Sequence, residues 1–295
     1  NALLYASTRK IVSDRNIRIN SASSVELLAY KIRNLEPYPI YNLTLKLNLN
    51  ASQYIPEKAI LYDSSLELPL IYEYTNGEIG PEPTRFDGSI WIKIPRLEAN
   101  SEDTIYIICS DNPPIQNYTA DEFFIFYDDF SNGLSSEKWI ASKFGTWDIK
   151  KDKDTYAYLK EVGDIPYDAA HAMLFSREIF EANSTGDFII ESRMRNSVGY
   201  DVGLRIYNRI NTDSSEQFGS GIYIGWGSRG TKLKISITDG KNVVEVITAE
   251  ESAPMSWTVL KALLQITTHY VYIKLWGKEK TIFANFTWDL LDYNM

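Results

Sequence analysis

Asn42-Leu43-Thr44-Leu45-Lys46-Leu47-Asn48-Leu49-Asn50 sets a leucine at every second position, with Thr, Lys and Asn between them. A period of two marks a strand with one face in a core and the other in water, because successive side chains leave opposite faces. Outward from this stretch the same period recurs. Ile90, Ile92 and Ile94 alternate with Trp91 and Lys93, and Leu233, Ile235 and Ile237 alternate with Lys232, Lys234 and Ser236. Val271, Ile273 and Leu275 alternate with Tyr270, Tyr272, Lys274 and Trp276. Turn formers separate these runs: Asn76-Gly77, Asp87-Gly88, Asp239-Gly240 and Gly277-Lys278-Glu279-Lys280. Helical spacing is weak, and its best candidate is the short opening stretch from Leu3 to Val12, which carries no clear cap. The expectation is an all-β chain of antiparallel sandwiches or jelly rolls.

At 295 residues the chain accommodates one large or two ordinary domains. A composition of 44% apolar and 23% charged residues is that of an ordinary globular protein, and 20 tyrosines favour strands. A net charge of −9 argues against a nucleic-acid backbone or an anionic lipid surface as partner. The one cysteine, Cys109, ends the apolar run Thr104-Ile105-Tyr106-Ile107-Ile108-Cys109, so a buried free thiol is expected. No run of roughly 18 apolar residues is present, so no membrane span or secretory signal is expected. Asn1-Ala2 reads as the remnant of a cleaved tag or as a processed natural terminus. On the first of these readings Leu3-Leu4-Tyr5-Ala6 would be the tail of an apolar membrane segment removed upstream. Pro113 and Pro114, in Ser110-Asp111-Asn112-Pro113-Pro114-Ile115, cannot continue a central strand, and a new apolar run begins at Phe123. The expected domains are residues 1–121 and 122–295.

Three pieces of the first half stand in a recognisable order. They are the leucine-alternating strand, then Ala59-Ile60-Leu61-Tyr62-Asp63-Ser64 leading to Leu68-Pro69-Leu70-Ile71-Tyr72-Glu73-Tyr74, then Ile90-Trp91-Ile92-Lys93-Ile94-Pro95 running on to Thr104-Ile105-Tyr106-Ile107. Together they resemble the domain of unknown function 2341, a β-sandwich family of archaeal and bacterial surface proteins, over residues 30–115. Cys109-Ser110-Asp111-Asn112 departs from that family's usual Tyr-Gly-Asn. The resemblance implies an extracellular or cell-surface setting and no established chemistry. Tyr127-Asp128-Asp129-Phe130-Ser131-Asn132-Gly133, with Trp139 and Trp147, is similar to the start of a concanavalin-like or laminin-G-like jelly roll. Domains of that kind usually close with a further Gly-led strand beside the first. Here either later residues or another segment of chain would supply it.

The jelly-roll resemblance raises carbohydrate chemistry, because that superfamily holds lectins, adhesion modules and glycosidases. A glycosidase needs two carboxylates flanking the bond, commonly as Glu-x-Asp-x-x-Glu on one strand, and that pattern is absent. Glu178 and Glu181 point to opposite faces by alternation, and Glu250-Glu251 reads as solvated loop charge. His171 and His269 have no ligand-spaced partner. The Asp128-Asp129 pair makes calcium the cofactor to expect, since hard oxygen ligands suit Ca²⁺. The same residues are also ordinary turn chemistry.

The candidate binding face comes from alternation. In Asp201-Val202-Gly203-Leu204-Arg205-Ile206-Tyr207-Asn208-Arg209 the apolar residues turn inward, so Asp201, Arg205, Tyr207 and Arg209 share the outer face. Arg193 and Arg195 alternate with Met194 in the preceding strand, and Tyr223 alternates with Ile222 and Ile224 in the following one. If these strands are neighbours, one face gathers arginines, acids and tyrosines able to hold a glycan. A wet face laced with ion pairs is the plainer alternative. Asn42, Asn50, Asn117, Asn183 and Asn285 each open an Asn-x-Ser/Thr sequon, which fits a glycosylated surface protein. The expected function is a non-enzymatic surface module for adhesion or carbohydrate binding, its partner a glycan or another surface protein. The rivals are a structural subunit assembled by strand exchange, motivated by the loose start from Asn1 to Asp14, and a glycoside hydrolase on the jelly roll.

Overall fold

The computed structural model describes residues 2–6, 11–20, 25–49, 54–75, 77–141, 145–151, 155–162, 174–176, 186–195, 201–207, 220–239, 243–266 and 270–287. The strands run β1 (Ala2–Ala6), β2 (Ile11–Asn20), β3 (Val25–Asn34), β4 (Ile40–Asn48), β5 (Ile55–Leu61), β6 (Leu66–Leu68), β7 (Leu70–Tyr74), β8 (Ile79–Gly80), β9 (Phe86–Leu97) and β10 (Glu102–Ser110). A one-turn helix, α1 (Ala120–Phe123), precedes β11 (Phe126–Asp128). After it come β12 (Trp139–Ala141), β13 (Gly145–Lys151), β14 (Thr155–Val162), β15 (Leu174–Ser176), β16 (Gly186–Met194) and β17 (Val202–Tyr207). The last are β18 (Ser220–Gly227), β19 (Lys232–Asp239), β20 (Val243–Glu250), β21 (Thr258–Ile266), β22 (Tyr270–Trp276) and β23 (Thr281–Thr287). The described pairings are antiparallel throughout. The expected all-β class therefore holds. The expected opening helix does not, because β1 and the start of β2 occupy the stretch from Leu3 to Val12.

The chain divides into two compact units: Leu4–Tyr127, and Asp128–Met295 together with Asn1–Leu3. In the N-terminal unit a β2-β3-β10-β5-β6 sheet faces a β4-β9-β7-β8 sheet. Leu28, Tyr30, Ile32, Leu43, Leu47, Ile90, Ile92, Ile94, Ile105 and Ile107 fill the space between them. Cys109 is fully buried there and takes part in no disulfide within the chain. Asp87-Gly88 is a bulge rather than a turn: it lies inside β9, Gly88 has φ 80°, and the register against β7 shifts at this point.

The division falls six residues later than the expected 121/122 boundary, and the reason is visible in the packing. Trp91 points away from the core between the sheets yet is only 1% exposed. Phe124 covers it edge-on at 5.0 Å, and Tyr127 stacks on Phe124 at 5.9 Å. Backbone and side chain fasten the same segment: Thr44 Oγ1 donates to the Phe123 carbonyl (3.1 Å), and Ile79 N–H donates to the Tyr127 hydroxyl (2.9 Å). The Phe123-Phe124 run thus roofs the outer face of the β4-β9-β7-β8 sheet instead of opening the next domain. Glu122 holds the turn that starts it, accepting from the Thr119 N–H and hydroxyl, and these bonds keep its carboxyl below the usual range.

In the C-terminal unit a β17-β18-β19-β20 sheet packs on strands β16-β21-β22-β23, which are neighbours in that order. Ile224, Trp226, Leu233, Ile235, Leu260, Leu264, Ile273, Leu275 and Phe286 form the core between the layers. The sheet order sets β1 beside β16, and Asn1–Leu3 group with this unit. Both units are therefore antiparallel sandwiches. Among the described residues no helix is long and apolar enough to cross a membrane.

Candidate ligand-binding faces of the C-terminal unit

Two layers around one core leave two outer faces that look in opposite directions. β16 turns Met194 inward, and β18 turns Ile222 and Ile224 inward from the other layer. The polar residues that alternate with them must then point away from each other. β16 pairs with β21, and β17 with β18. Arg193 and Arg195 accordingly lie on one outer face, while Asp201 and Tyr223 belong to the other layer. The single face expected from neighbouring strands does not form, because the chain crosses from one layer to the other between Arg195 and Asp201. Arg205 and Tyr207 are on β17, but their side chains, and the whole of Arg209, lie outside the described residues.

The β18 side is built tightly. Gly203 and Gly225 stand opposite each other, and a Cβ at Gly203 would sit 2.8 Å from the Gly225 Cα and 2.9 Å from the Tyr223 hydroxyl. Tyr223 covers this glycine pair, donating from its hydroxyl to the Trp226 carbonyl (2.8 Å), with the Lys234 ammonium 5.8 Å from its ring. Asp201 is engaged in the turn after β18, where its Oδ1 accepts from the Arg229 N–H (2.7 Å). Ser228 and Arg229 there adopt φ values of 55° and 62°, and that bond helps to hold them. These two expected binding residues thus do structural work in their own layer.

The β16 side differs. The Arg193 and Arg195 guanidinium groups lie 5.5 Å and 5.0 Å from the centroid of a single indole, Trp257. Glu191 stands opposite Lys261 across the strand pair and bonds to its ammonium at 2.5 Å. Further along the same face, Lys274 lies 4.6 Å from the Trp276 ring and 5.5 Å from Phe283. Tyr272 lies 6.4 Å from Phe283. Trp257 and Phe283 were not among the expected site residues. The signal for Phe283 was present in the sequence: the outward positions of β23 alternate with Ile282, Ala284 and Phe286. Trp257 precedes its strand in a loop, where period carries no information.

The Asp128-Asp129 pair is a turn and an anchor. Asp128 is buried, accepting from Phe130 N–H through Oδ1 (2.7 Å) and from the Trp139 indole through Oδ2 (2.5 Å). Trp139 in turn stacks on Phe130 at 5.7 Å, and Asp129 accepts from Ser131 N–H (2.9 Å). Calcium takes six to eight oxygen ligands. Among the described residues no cluster of three or more His, Cys, Asp or Glu side chains is present, and both Asp128 oxygens accept hydrogen bonds from the chain itself.

Glu251 corrects the expectation of a solvated loop charge. It is 8% exposed and accepts from the Trp226 indole (2.8 Å) and from the N–H groups of Lys278 (2.9 Å), Glu279 (2.8 Å) and Lys280 (2.6 Å). Burial pushes its pKa up, but these donors outweigh it and hold the carboxyl below its ordinary value. Gly277 is required beside it, since a Cβ there would collide with the Glu251 carboxylate. Glu178, Glu181, His171 and His269 lie outside the described residues. Three sequon asparagines, Asn42, Asn117 and Asn285, are exposed, and Asn50 and Asn183 lie outside the described residues.

Residues 79–142 match the family described as Domain of unknown function (DUF2341). The match starts at β8, includes the aromatic roof, and runs through Asp128-Asp129-Phe130 to just past Trp139. It overlaps the expected 30–115 resemblance only from residue 79 onward and extends beyond it. It crosses the division between the units, so the Asp128-Trp139 anchor belongs to the matched stretch. The family carries no described function, and the match assigns none. No curated protein matches the chain.

Proposed function

We propose that the chain is a non-enzymatic module of an exported or cell-surface protein, and that its C-terminal unit binds acidic carbohydrate for adhesion. One observation carries this reading: two guanidinium groups are gathered at one indole on the outer face of the β16-β21 pair. An arginine held against an aromatic ring has already lost much of its rotamer freedom, so less is lost when it meets a ligand. Its N–H edge suits the planar bidentate bonding of a carboxylate, and the faces of neighbouring aromatic rings suit the C–H face of a sugar. The Glu191–Lys261 pair adds hydroxyl-binding partners alongside. The test is an array of neutral and acidic glycans probed with the full chain. Binding should favour carboxylated sugars, and Arg193→Ala and Trp257→Ala should each weaken it about tenfold or more, as the loss of one charged hydrogen bond does. Tyr223→Phe, on the opposite layer, should leave it unchanged. Absence of binding, or binding indifferent to both β16-side substitutions, sinks the reading.

A second reading, a structural subunit joined by strand exchange, is favoured by one feature. Asn1–Leu3 group with the C-terminal unit although the N-terminal unit follows them in sequence. A strand supplied from so far away can equally come from another copy. Light scattering across a concentration series separates the two readings: a monomer at every concentration counts against exchange.

A further inference from the structure

We infer that Asn285 is a glycan attachment site whose first sugar lies on an aromatic platform formed by Phe283 and Tyr272. The proposal rests on the exported setting argued above but not on any carbohydrate ligand. β23 alternates strictly between exposed and buried positions, so Phe283, Asn285 and Thr287 share its outer face, while Ile282, Ala284 and Phe286 enter the core. The sequon asparagine and its threonine therefore stand side by side in solvent, with an aromatic ring two residues before the asparagine. Positions i and i+2 on a strand are roughly 6.6 Å apart, within the span of one sugar ring. Across the ladder Asn285 is paired with Tyr272, and Phe283 with Lys274. Tyr272 and Phe283 lie diagonally, their rings 6.4 Å apart and tilted by 35°, on either side of the line a glycan would take from Asn285.

Phe283 is 51% exposed and Tyr270, opposite Thr287, is 40% exposed. A sugar linked at Asn285 Nδ2 would lay its C–H face on the Phe283 and Tyr272 rings while its hydroxyls stayed in water, the arrangement aromatic rings favour with amphipathic partners. The other described sequons lack this setting. Asn42 adopts φ 51° within β4, and Thr44 of its sequon is buried, its hydroxyl donating to the Phe123 carbonyl. Asn117 is exposed, and the Tyr118 ring beside it in sequence packs on Phe123 at 6.0 Å.

The test is secretion of the full chain from cultured animal cells, followed by glycopeptide mass spectrometry and thermal melts before and after enzymatic removal of N-glycans. Asn285 should be occupied, and removal should lower the melting temperature of the C-terminal unit by about 2–4 °C. Phe283→Ala should keep the glycan yet abolish that shift, and Asn285→Gln should also abolish it. A glycan on Asn117 with none on Asn285 overturns this inference and leaves the exported setting standing. Occupancy at Asn285 with the same melting shift in Phe283→Ala overturns the platform. No glycan at either asparagine overturns the site.

Discussion

The two units treat the outer face of a sheet in opposite ways. In the N-terminal unit the outer side of the β4-β9-β7-β8 sheet is roofed: Trp91 and Ile71 are buried although they point away from the core between the sheets. In the C-terminal unit the outer side of β21-β22-β23 displays Val259, Tyr270 and Phe283 at 40–51% exposure. Both units are antiparallel sandwiches, and the period is the same. The difference lies in what the chain lays on top, and it teaches where to look for recognition. A roofed face contributes stability, whereas large side chains left in solvent on a sheet face mark where a partner is to be sought.

The largest effect that could break this comparison is at Phe124. Truncation to Ala removes the ring covering Trp91 and should cost the N-terminal unit about 3–5 kcal/mol, read as a fall in its urea midpoint. A loss under about 1 kcal/mol would mean that the roof is ornamental and that the two faces are equivalent.

Next is Glu251, which sharpens the comparison from inside the second unit. Replacing it with Gln leaves backbone donors facing an amide N–H₂ and should cost about 2–3 kcal/mol at pH 7. Because its carboxyl titrates below the ordinary value when folded, its stabilisation is present above the unfolded pKa of about 4.5 and is lost as pH falls through the lower folded value. Equilibrium melts between pH 3 and 7 should therefore show a steeper acid decline in the native chain than in Glu251→Gln. Parallel declines would remove the role assigned to it.

The smallest effect is at Phe283. In the unglycosylated chain Phe283→Ala should change stability by no more than about 0.5 kcal/mol, as expected of an exposed position. A cost near that of Phe124→Ala would show that this face, too, is packed.

Much of the frame was legible in the sequence. Leu43, Leu47, Ile90, Ile92, Ile94, Leu233, Ile235, Ile273 and Leu275 were placed inward by a period of two, and all are buried. Cys109 was placed in the core by its apolar run. What failed has a common cause: period reports which side of a strand a residue takes, but not which strand lies beside it. Arg193 and Tyr223 were each placed correctly as outward-facing, yet joined wrongly, because the crossing between layers after Arg195 leaves no trace in alternation. Phe123-Phe124 read as a new core because an apolar run looks the same whether it founds one sandwich or roofs another. Glu251 read as solvent-facing because its acceptors' partners, the N–H groups of 278–280, come from a turn distant in sequence. Asp87-Gly88 carried the composition of a turn, and the chain used it to bend a long strand instead.

Glu251 has a consequence beyond stability. It follows β20, in one layer of the sandwich, and it grips the turn between β22 and β23, in the other. Its fourth partner, Trp226, is anchored in the first layer. A single carboxylate thus acts as a strut across the end of the unit. A load that slides one layer over the other must break all of its turn contacts together rather than one after another. In the surface module proposed above, resistance to shear would rest in part on one ionised side chain, strong at neutral pH and slackened in acid.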